Sequence, residues 1–471
     1  MKKITILFYF SLLLTTTLAN AQTAQLLGMT PGGGAYNGGV IFKINVGGTG
    51  FDTVYSFNPL TGGYAPYGDL FKASNGLLYG TNYSGGPHLY GSLFSFNPTT
   101  YAYTDVHYFD TTSGIQPNGD LIQLSNGKLY GMASGSGANG YGVIFSLNPN
   151  SNNTYADLYD FNGTAGSYPY GNLVLASNGL LYGMTQFGGA HTYGTIFSFD
   201  TATNTLTDLH DFDSLDGQWP YGSLILEGDK LYGLTWGGGG FGAGVLFSYN
   251  IAGKIYDQVY NFNVGSGSGP EGNLTLIPNG HIFYGTTNAG GLNGDGVIFS
   301  FDTLTNTYTD LFDFSGANGQ APPSSLVLAS DGNFYGMTFT GGLNSDGIIF
   351  SFNPTDSDCL DIHDFNGNLG SEPNGNLIEL NTTGINQLPS NDEQLLIYPN
   401  PASNQLTIIS NQLSIGTVRV TNIVGQVVYS FTLPAANKYS KQIDVSTLPA
   451  GLYFVSVISG NEITTGKIVV K

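Results

Sequence analysis

Cysteine is almost absent from this chain. Cys359 is the only one in 471 residues, so no disulfide can form within it. Charge is also scarce, at 9% of residues against about 25% in an average soluble protein. Basic residues are the scarcest, 12 Lys and Arg against 32 Asp and Glu, for a formal net charge of −20. Between residues 22 and 381 the imbalance is sharper: 28 acids face only Lys43, Lys72, Lys128, Lys230 and Lys254. Such a surface repels nucleic acid and anionic membranes and tolerates neutral sugars and cations, although solubility alone would account for it. Beyond the first twenty residues no apolar run is long enough for a transmembrane helix, so membrane insertion is not expected. No nucleophile elbow, His-Glu-x-x-His, Walker loop or paired-Cys zinc pattern occurs, and no cofactor or metal is expected.

What the chain does have is glycine, 70 residues of it, with 31 Tyr and 30 Phe. Glycine supplies tight turns and the aromatics can fill a large core, a composition of all-β, extracytoplasmic type. Lys2 and Lys3 precede an apolar run from Ile4 to Leu18, and Ala19-Asn20-Ala21 fits the small-x-small cleavage rule. Residues 1–21 therefore read as a signal peptide, cut between Ala21 and Gln22.

The body of the chain is repetitive. The glycine of Leu-Tyr-Gly recurs at Gly28 (as Leu-Leu-Gly), Gly80, Gly131, Gly183, Gly233, Gly285 and Gly336. Gly-x-[Ile/Leu]-Phe begins at Gly39, Gly91, Gly142, Gly194, Gly244, Gly296 and Gly347. Pro-x-Gly recurs at Pro66, Pro117, Pro169, Pro220, Pro270 and Pro373, with Ser324 replacing the glycine after Pro322. The period is roughly 51 residues, and self-similarity of that length marks a repeat architecture. Each unit holds four apolar runs of strand length, for example Gly142–Leu147, Tyr155–Phe161, Asn172–Ala176 and Leu180–Met184. Asn148-Pro149 and Asn178-Gly179 are short turn signals. The second predicts a primed hairpin turn, so neighbouring strands are antiparallel.

The phase of the repeat bears on its closure. The mature chain opens on the Leu-Leu-Gly-Met-Thr strand and lacks the strand that precedes it elsewhere. The last unit ends on Asn376–Leu380, which is that missing strand. Six units are whole, and a seventh is completed only by joining the two ends. A closed ring uses such a clasp to hide a free sheet edge, so a seven-bladed β-propeller with four-stranded blades is predicted over 22–381, with an open β-solenoid as the alternative.

The series Gly-Asn-Leu-Val-Leu-Ala-Ser-Asn-Gly-Leu-Leu-Tyr-Gly-Met-Thr, then Gly-Gly, then Gly-Thr-Ile-Phe-Ser-Phe, resembles the bacterial tandem repeats called GloVer repeats over residues 24 to 381. That resemblance implies a secreted surface protein and no particular activity. Residues 382–394 form a polar linker. Beyond them the repeat vanishes and short alternating runs suit a small Ig-like β-sandwich over 395–471. Its motifs are Ile397-Tyr398-Pro399-Asn400-Pro401, Gly425-Gln426-Val427-Val428 and Leu448-Pro449-Ala450-Gly451-Leu452-Tyr453, with Lys467 and Lys471 at the end. They resemble the type A C-terminal sorting domain of the type IX secretion system of Bacteroidetes. The resemblance implies export through that machinery, removal of the tail, and then release or attachment at the outer-membrane surface.

Candidate chemistry is sparse. His107, His210 and His363 share a slot with Tyr159, Tyr260 and Phe312, which marks it as a packing slot. Cys359 takes a slot held elsewhere by Tyr103, Tyr155, Tyr256 and Tyr308, so it reads as a small hydrophobe. Asp105, Asp157, Asp208, Asp310 and Asp361 recur two residues before the histidine slot, a pattern that suits bonding to backbone better than acid–base work. Asn293-Gly294-Asp295-Gly296 is too poor in acids for a calcium loop.

The two long, variable connections of each unit fall on one face of a meander, and function on rigid repeats favours such loops. They carry Tyr83, Tyr90, Phe187, Tyr193, Trp236, Phe241 and Trp219. If Pro-x-Gly opens the innermost strand, a channel mouth is ringed by Tyr67, Asn118, Tyr170, Tyr221, Glu271, Pro323 and Asn374, followed by Asp69, Asp120, Asn172, Ser223, Asn273, Ser325 and Asn376. Rings beside small polar acceptors suit a neutral sugar, although packing and strand initiation would use the same residues. The leading expectation is a monomeric, non-catalytic propeller that binds glycan or another extracellular ligand. The alternatives are a glycan hydrolase or lyase using Asp69, Asp120 or Glu271, and a purely structural or adhesion module.

Overall fold

The computed structural model describes residues 24–380 apart from 279, and in the tail the segments 395–398, 405–410, 416–422, 426–433, 439–446, 448–449, 451–459 and 462–470. Ala21, Gln22, the stretch 382–394, Pro399, Asn400, Pro401 and Lys471 lie outside the described residues. The chain divides into two compact units, Met1–Thr382 and Thr383–Lys471.

The first unit is built of antiparallel sheets with no α-helix among the described residues. In one repeat the strands Ile122–Gln123, Leu129–Ala133, Val143–Asn148 and Thr154–Asp160 hydrogen-bond in that order. The same four-strand order recurs through the unit, giving seven such sheets among the described residues, one with an extra short strand. Each sheet starts at Pro-x-Gly, so the four apolar runs cited above span two sheets: Val143–Asn148 and Thr154–Asp160 close one, and Val174–Leu175 and Leu181–Phe187 open the next. The first sheet is assembled from both ends of the unit. Gln25, Leu26 and Leu27 pair antiparallel with Leu380, Glu379 and Ile378.

The two middle strands of each sheet are buried on both faces, as in Leu129–Ala133 and Val143–Asn148. This burial explains their nearly continuous apolar sequence, because sheets stack face to face. The glycine of Leu-Tyr-Gly sits opposite the phenylalanine of the next strand, Gly131 facing Phe145. A Cβ at Gly183 would lie 2.6 Å from Phe197 Cζ and 3.0 Å from Leu173 Cδ2, so the ring occupies the space that the missing side chain leaves. Buried clusters join adjacent sheets. Tyr182, Met184 and Ile196 pack with Leu224, Leu231 and Phe247. The first and last sheets share a core in the same way, where Leu26, Phe42 and Ile44 meet Tyr335, Met337 and Ile349.

Two local expectations need adjustment. The Asn178-Gly179 connection is not a primed turn with two left-handed residues. Only Gly179 has positive φ (82°), and Ala176 N–H bonds the Leu180 carbonyl across three residues. That is the geometry of a type I turn closed by a left-handed glycine. Each outer pair of strands also carries a bulge, for example between Ile144 and Phe145, which adds local twist. The recurrent aspartate sits here: Asp361 Oδ1 accepts the His363 N–H two residues on at 3.1 Å. Asp157, Asp208 and Asp310 likewise accept from the backbone two residues on, whereas Asp105 accepts from the Ser92, Tyr103 and Tyr108 hydroxyls.

In the second unit Leu395–Tyr398, Gln405–Ser410 and Tyr439–Asp444 form one antiparallel sheet. Val427–Leu433, Gly416–Asn422, Gly451–Ser459 and Glu462–Val470 form another. Leu406, Ile443, Val418, Val455 and Ile468, drawn from both sheets, share one buried core. Tyr453 is buried in it and its hydroxyl donates to the Pro449 carbonyl at 2.8 Å, while Gly451 opens its strand. Lys467 lies in the last strand.

Candidate functional site

The Pro-x-Gly segments converge. Tyr67, Asn118, Tyr170, Tyr221, Glu271, Pro323 and Asn374, with Asp69, Asp120, Asn172, Ser223, Asn273, Ser325 and Asn376, all line one cavity of about 70 Å³. The glycine between them allows neighbouring backbones to touch: a Cβ at Gly171 would lie 2.2 Å from the Gly222 carbonyl oxygen.

The small polar residues bond one another around the cavity. Asp69 N–H donates to Asp120 Oδ1 (2.5 Å), Asp120 N–H to Asn172 Oδ1, and Asn172 N–H to Ser223 Oγ (2.8 Å). Ser223 N–H donates to Asn273 Oδ1 (2.5 Å), Asn273 N–H to Ser325 Oγ (2.6 Å), and Ser325 N–H to Asn376 Oδ1 (2.6 Å). Asn376 N–H then donates to Asp69 Oδ1, and the cycle ends where it began. In each sheet this N–H lies two residues ahead of the short inner strand and bonds a neighbour's side chain. Asn376 and Asn172 also donate side-chain N–H groups to the outer oxygens of Asp69 and Asp120. Burial, and after it the charge of Asp120, holds the Asp69 carboxyl well above the usual range. Burial also raises Glu271, opposed by hydrogen bonds from Asn288 and Trp236.

This cavity does not suit a sugar. Sites for small ligands measure about 300–1,000 Å³, and the candidate carboxylates already accept protein hydrogen bonds. The expected rings are turned to each other: Tyr170 and Tyr221 meet edge to face at 5.2 Å, as do Tyr67 and Tyr83 at 5.3 Å.

A second cavity, of about 590 Å³, lies among the loops. Tyr141, Phe187, Tyr193 and Trp219 line it with Asn162, Thr164, Ser167 and Thr192, and none of its lining residues carries a charge. Trp219 stacks obliquely with Trp236 (5.8 Å), which bridges toward Glu271, and Phe187 meets Tyr168 edge to face (5.7 Å). Trp219 and Trp236 are thus brought together; Trp236 donates to Glu271 of the inner ring, and Trp219 lines the loop cavity. Tyr141 and Tyr168, both 42% exposed, were not singled out from the sequence. Their signal was there, since Tyr141 immediately precedes Gly142 and Tyr168 immediately precedes Pro169.

The backbone that presents these rings is unusual. The residue before each Pro-x-Gly or Pro-Pro-Ser proline has positive φ: Ala65 54°, Gln116 56°, Tyr168 54°, Trp219 58°, Gly269 59°, Ala321 53° and Glu372 56°. For a side chain other than glycine this costs about 1 kcal/mol or more. The N–H of this residue reaches back to the preceding sheet's loop, Tyr168 to the Tyr141 carbonyl and Trp219 to the Tyr193 carbonyl, each at 2.9 Å.

The histidines of the shared slot stack on rings of the next sheet, and Phe241 is exposed. His107 lies flat on Tyr155 (3.9 Å), His210 on Tyr256 (4.0 Å) and His363 on Phe51 (3.6 Å). Burial lowers His107 to about 4 and raises the Cys359 thiol to about 12. The amide of Asn293 braces its loop by donating to the Phe314 carbonyl at 2.9 Å.

The fold and the loop cavity define a class: an all-β repeat protein of propeller-like sheets. Two solved structures are similar over this region. A putative 6-phosphogluconolactonase from Bacteroides uniformis shares 16% identity at a TM-score of 0.54, over 76% of this chain and 99% of its own. A putative 6-phosphogluconolactonase from Bacteroides fragilis shares 15% at 0.53, over 78% and 99%. At these identities the likeness concerns fold alone. No curated protein sequence matches. The model of the Gloeobacter/Verrucomicrobia repeat matches residues 15–241 and 216–387, so the chain belongs to that repeat family. Residues 396–471 match the secretion system C-terminal sorting domain, which indicates that the protein is secreted.

Proposed function

We propose that the mature protein is a closed seven-bladed β-propeller over 22–381, exported behind a signal peptide of residues 1–21, that binds a neutral glycan in the groove on its loop face. The linker 382–394 and an Ig-like sorting sandwich at 395–471 complete the chain and deliver it to the type IX machinery. Closure is supported by the pairing of Gln25–Leu27 with Ile378–Leu380 and by the hydrogen-bond cycle that returns from Asn376 to Asp69. Joining the ends covers the edge that Gln25–Leu27 would otherwise expose.

The observation that carries the binding reading is the uncharged aromatic groove around Trp219 on an otherwise acidic protein. Exposed rings stack on the C–H face of a pyranose, and amide and hydroxyl groups beside them take its hydroxyls. Screening on a glycan array tests this. Binding is expected to drop by about tenfold, the equivalent of ~1.4 kcal/mol, when Trp219 becomes Ala. A clean array from folded protein would refute it and favour a structural or adhesion role. Hydrolysis receives less support, because Asp69 and Asp120 are held by backbone and amide donors in a cavity of about 70 Å³.

A further inference from the structure

The repeats supply their own controls. A side chain that the fold requires recurs at its slot in every sheet, and one that the fold does not require varies. At the left-handed slot alanine, glutamine, glycine and glutamate all serve, so packing does not demand the rings of Tyr168 and Trp219. The slot whose carbonyl receives their N–H groups is equally permissive, with Gly38, Ala243 and Asp295 standing where Tyr141 and Tyr193 stand. Both slots are aromatic together at two junctions only, Tyr141 with Tyr168 and Tyr193 with Trp219, and these junctions are consecutive. The groove contains Tyr141, Tyr193 and Trp219, and its Phe187 contacts Tyr168. At the two junctions before the chain ends meet, the same slots carry Asp295, Asp346 and Glu372 instead.

We infer that the two aromatic pairs are consecutive subsites for one extended, uncharged polysaccharide chain, not a pocket for a single sugar. The inference rests on the glycan reading and names its substrate class. Packed sheets lie about 10 Å apart, close to the length of a disaccharide in an extended chain, so successive aromatic pairs can seat successive segments. Asn162, Thr164, Ser167 and Thr192 line the same groove and offer partners to hydroxyls along the chain. Asn162 Oδ1 is taken by Thr164 and Ala165, which leaves its amide N–H groups to donate. A uronate chain is disfavoured because no basic group lines the groove and the protein is strongly acidic.

The test is titration calorimetry on the full chain with linear β-1,4-glucan, mannan and xylan oligosaccharides from disaccharide to hexasaccharide. Affinity for one series is expected to climb with length until both pairs are covered. Trp219→Ala and Tyr168→Ala are each expected to weaken the hexasaccharide by about tenfold, a typical scale for one lost ring contact. Their disaccharide affinity should fall much less. Both variants should fold, because Ala65 and Ala321 already occupy the same slot. Gln116→Ala, at this slot outside the groove, should change nothing. Equal affinity for disaccharide and hexasaccharide would overturn the tandem inference and leave the glycan reading standing. Failure of every neutral series to bind folded protein would overturn the reading itself, and the inference with it.

Discussion

Joining the ends of the repeat can be tested by locking them. Gln25 and Leu380 are direct antiparallel partners, so cysteines at both positions fall within bridging reach. The variant Gln25→Cys/Leu380→Cys, with Cys359→Ser to remove the single native thiol, would close a loop of about 355 residues. Chain entropy alone puts the stabilisation from so long a loop at roughly 6 kcal/mol. Leu380 is 8% exposed, and its truncation takes back about 2 kcal/mol. Engineered bridges also fall short of the entropic limit, so a net gain of about 3 kcal/mol is expected. With an unfolding entropy near 2.1 cal/mol/K per residue over about 360 residues, that gain raises the melting temperature by ~4 °C. The assay compares the oxidised variant with the Cys359→Ser parent by calorimetry, with intact mass and non-reducing gels to establish an intramolecular bridge. If the two thiols stay free under oxidising conditions, or bridge only between molecules, the ends are not paired and the closed ring is wrong.

Other outcomes follow from single sites. Gly183→Ala is expected to destabilise by about 1–3 kcal/mol in denaturant titration, because its methyl group meets Phe197 and Leu173. Adding Phe197→Leu should recover part of that loss, and no recovery would mean that the ring is not the obstacle. His107 titrates near 4 when folded and near 6.5 when unfolded. Its contribution is therefore intact above about pH 6.5 and is lost as pH falls toward 4, while the unfolded chain takes up the proton first. His107→Phe, a residue its slot accepts at Phe312, should gain about 1 kcal/mol over the parent at pH 5, after allowance for partial exposure, and nothing at pH 8. Identical pH profiles for the two proteins would refute the buried, neutral histidine.

Much of the architecture was legible because it repeats. Leu-Tyr-Gly and Gly-x-[Ile/Leu]-Phe mark strands buried on both faces, and seven copies average out local ambiguity. The Pro-x-Gly residues Tyr67 through Asn374 were expected around one opening on the condition that Pro-x-Gly begins the innermost strand, and they line one cavity. Their use was not legible. Whether Asp120 faces a ligand or accepts its neighbour's N–H depends on how closely the inner strands approach, and spacing along the chain does not encode that distance. The same holds for Tyr141, which lines the loop cavity, and for Tyr168, which packs on the cavity's Phe187, since spacing along the chain singled out neither.

Composition and period alone thus determined an acidic β-repeat protein without internal disulfides, because these properties are sums over residues or regular patterns along the chain, whereas secretion and the sorting tail were implied by the leader motif and by the resemblance of the tail motifs. The tertiary structure decided which variable side chains act together. It joined the inner polar ring into a hydrogen-bonded seam around a cavity of about 70 Å³, and it brought Tyr141, Phe187, Tyr193 and Trp219 around a second cavity among the loops. The physical reason is that a site is a matter of contacts between residues well separated along the chain, set by the packing of one sheet on the next.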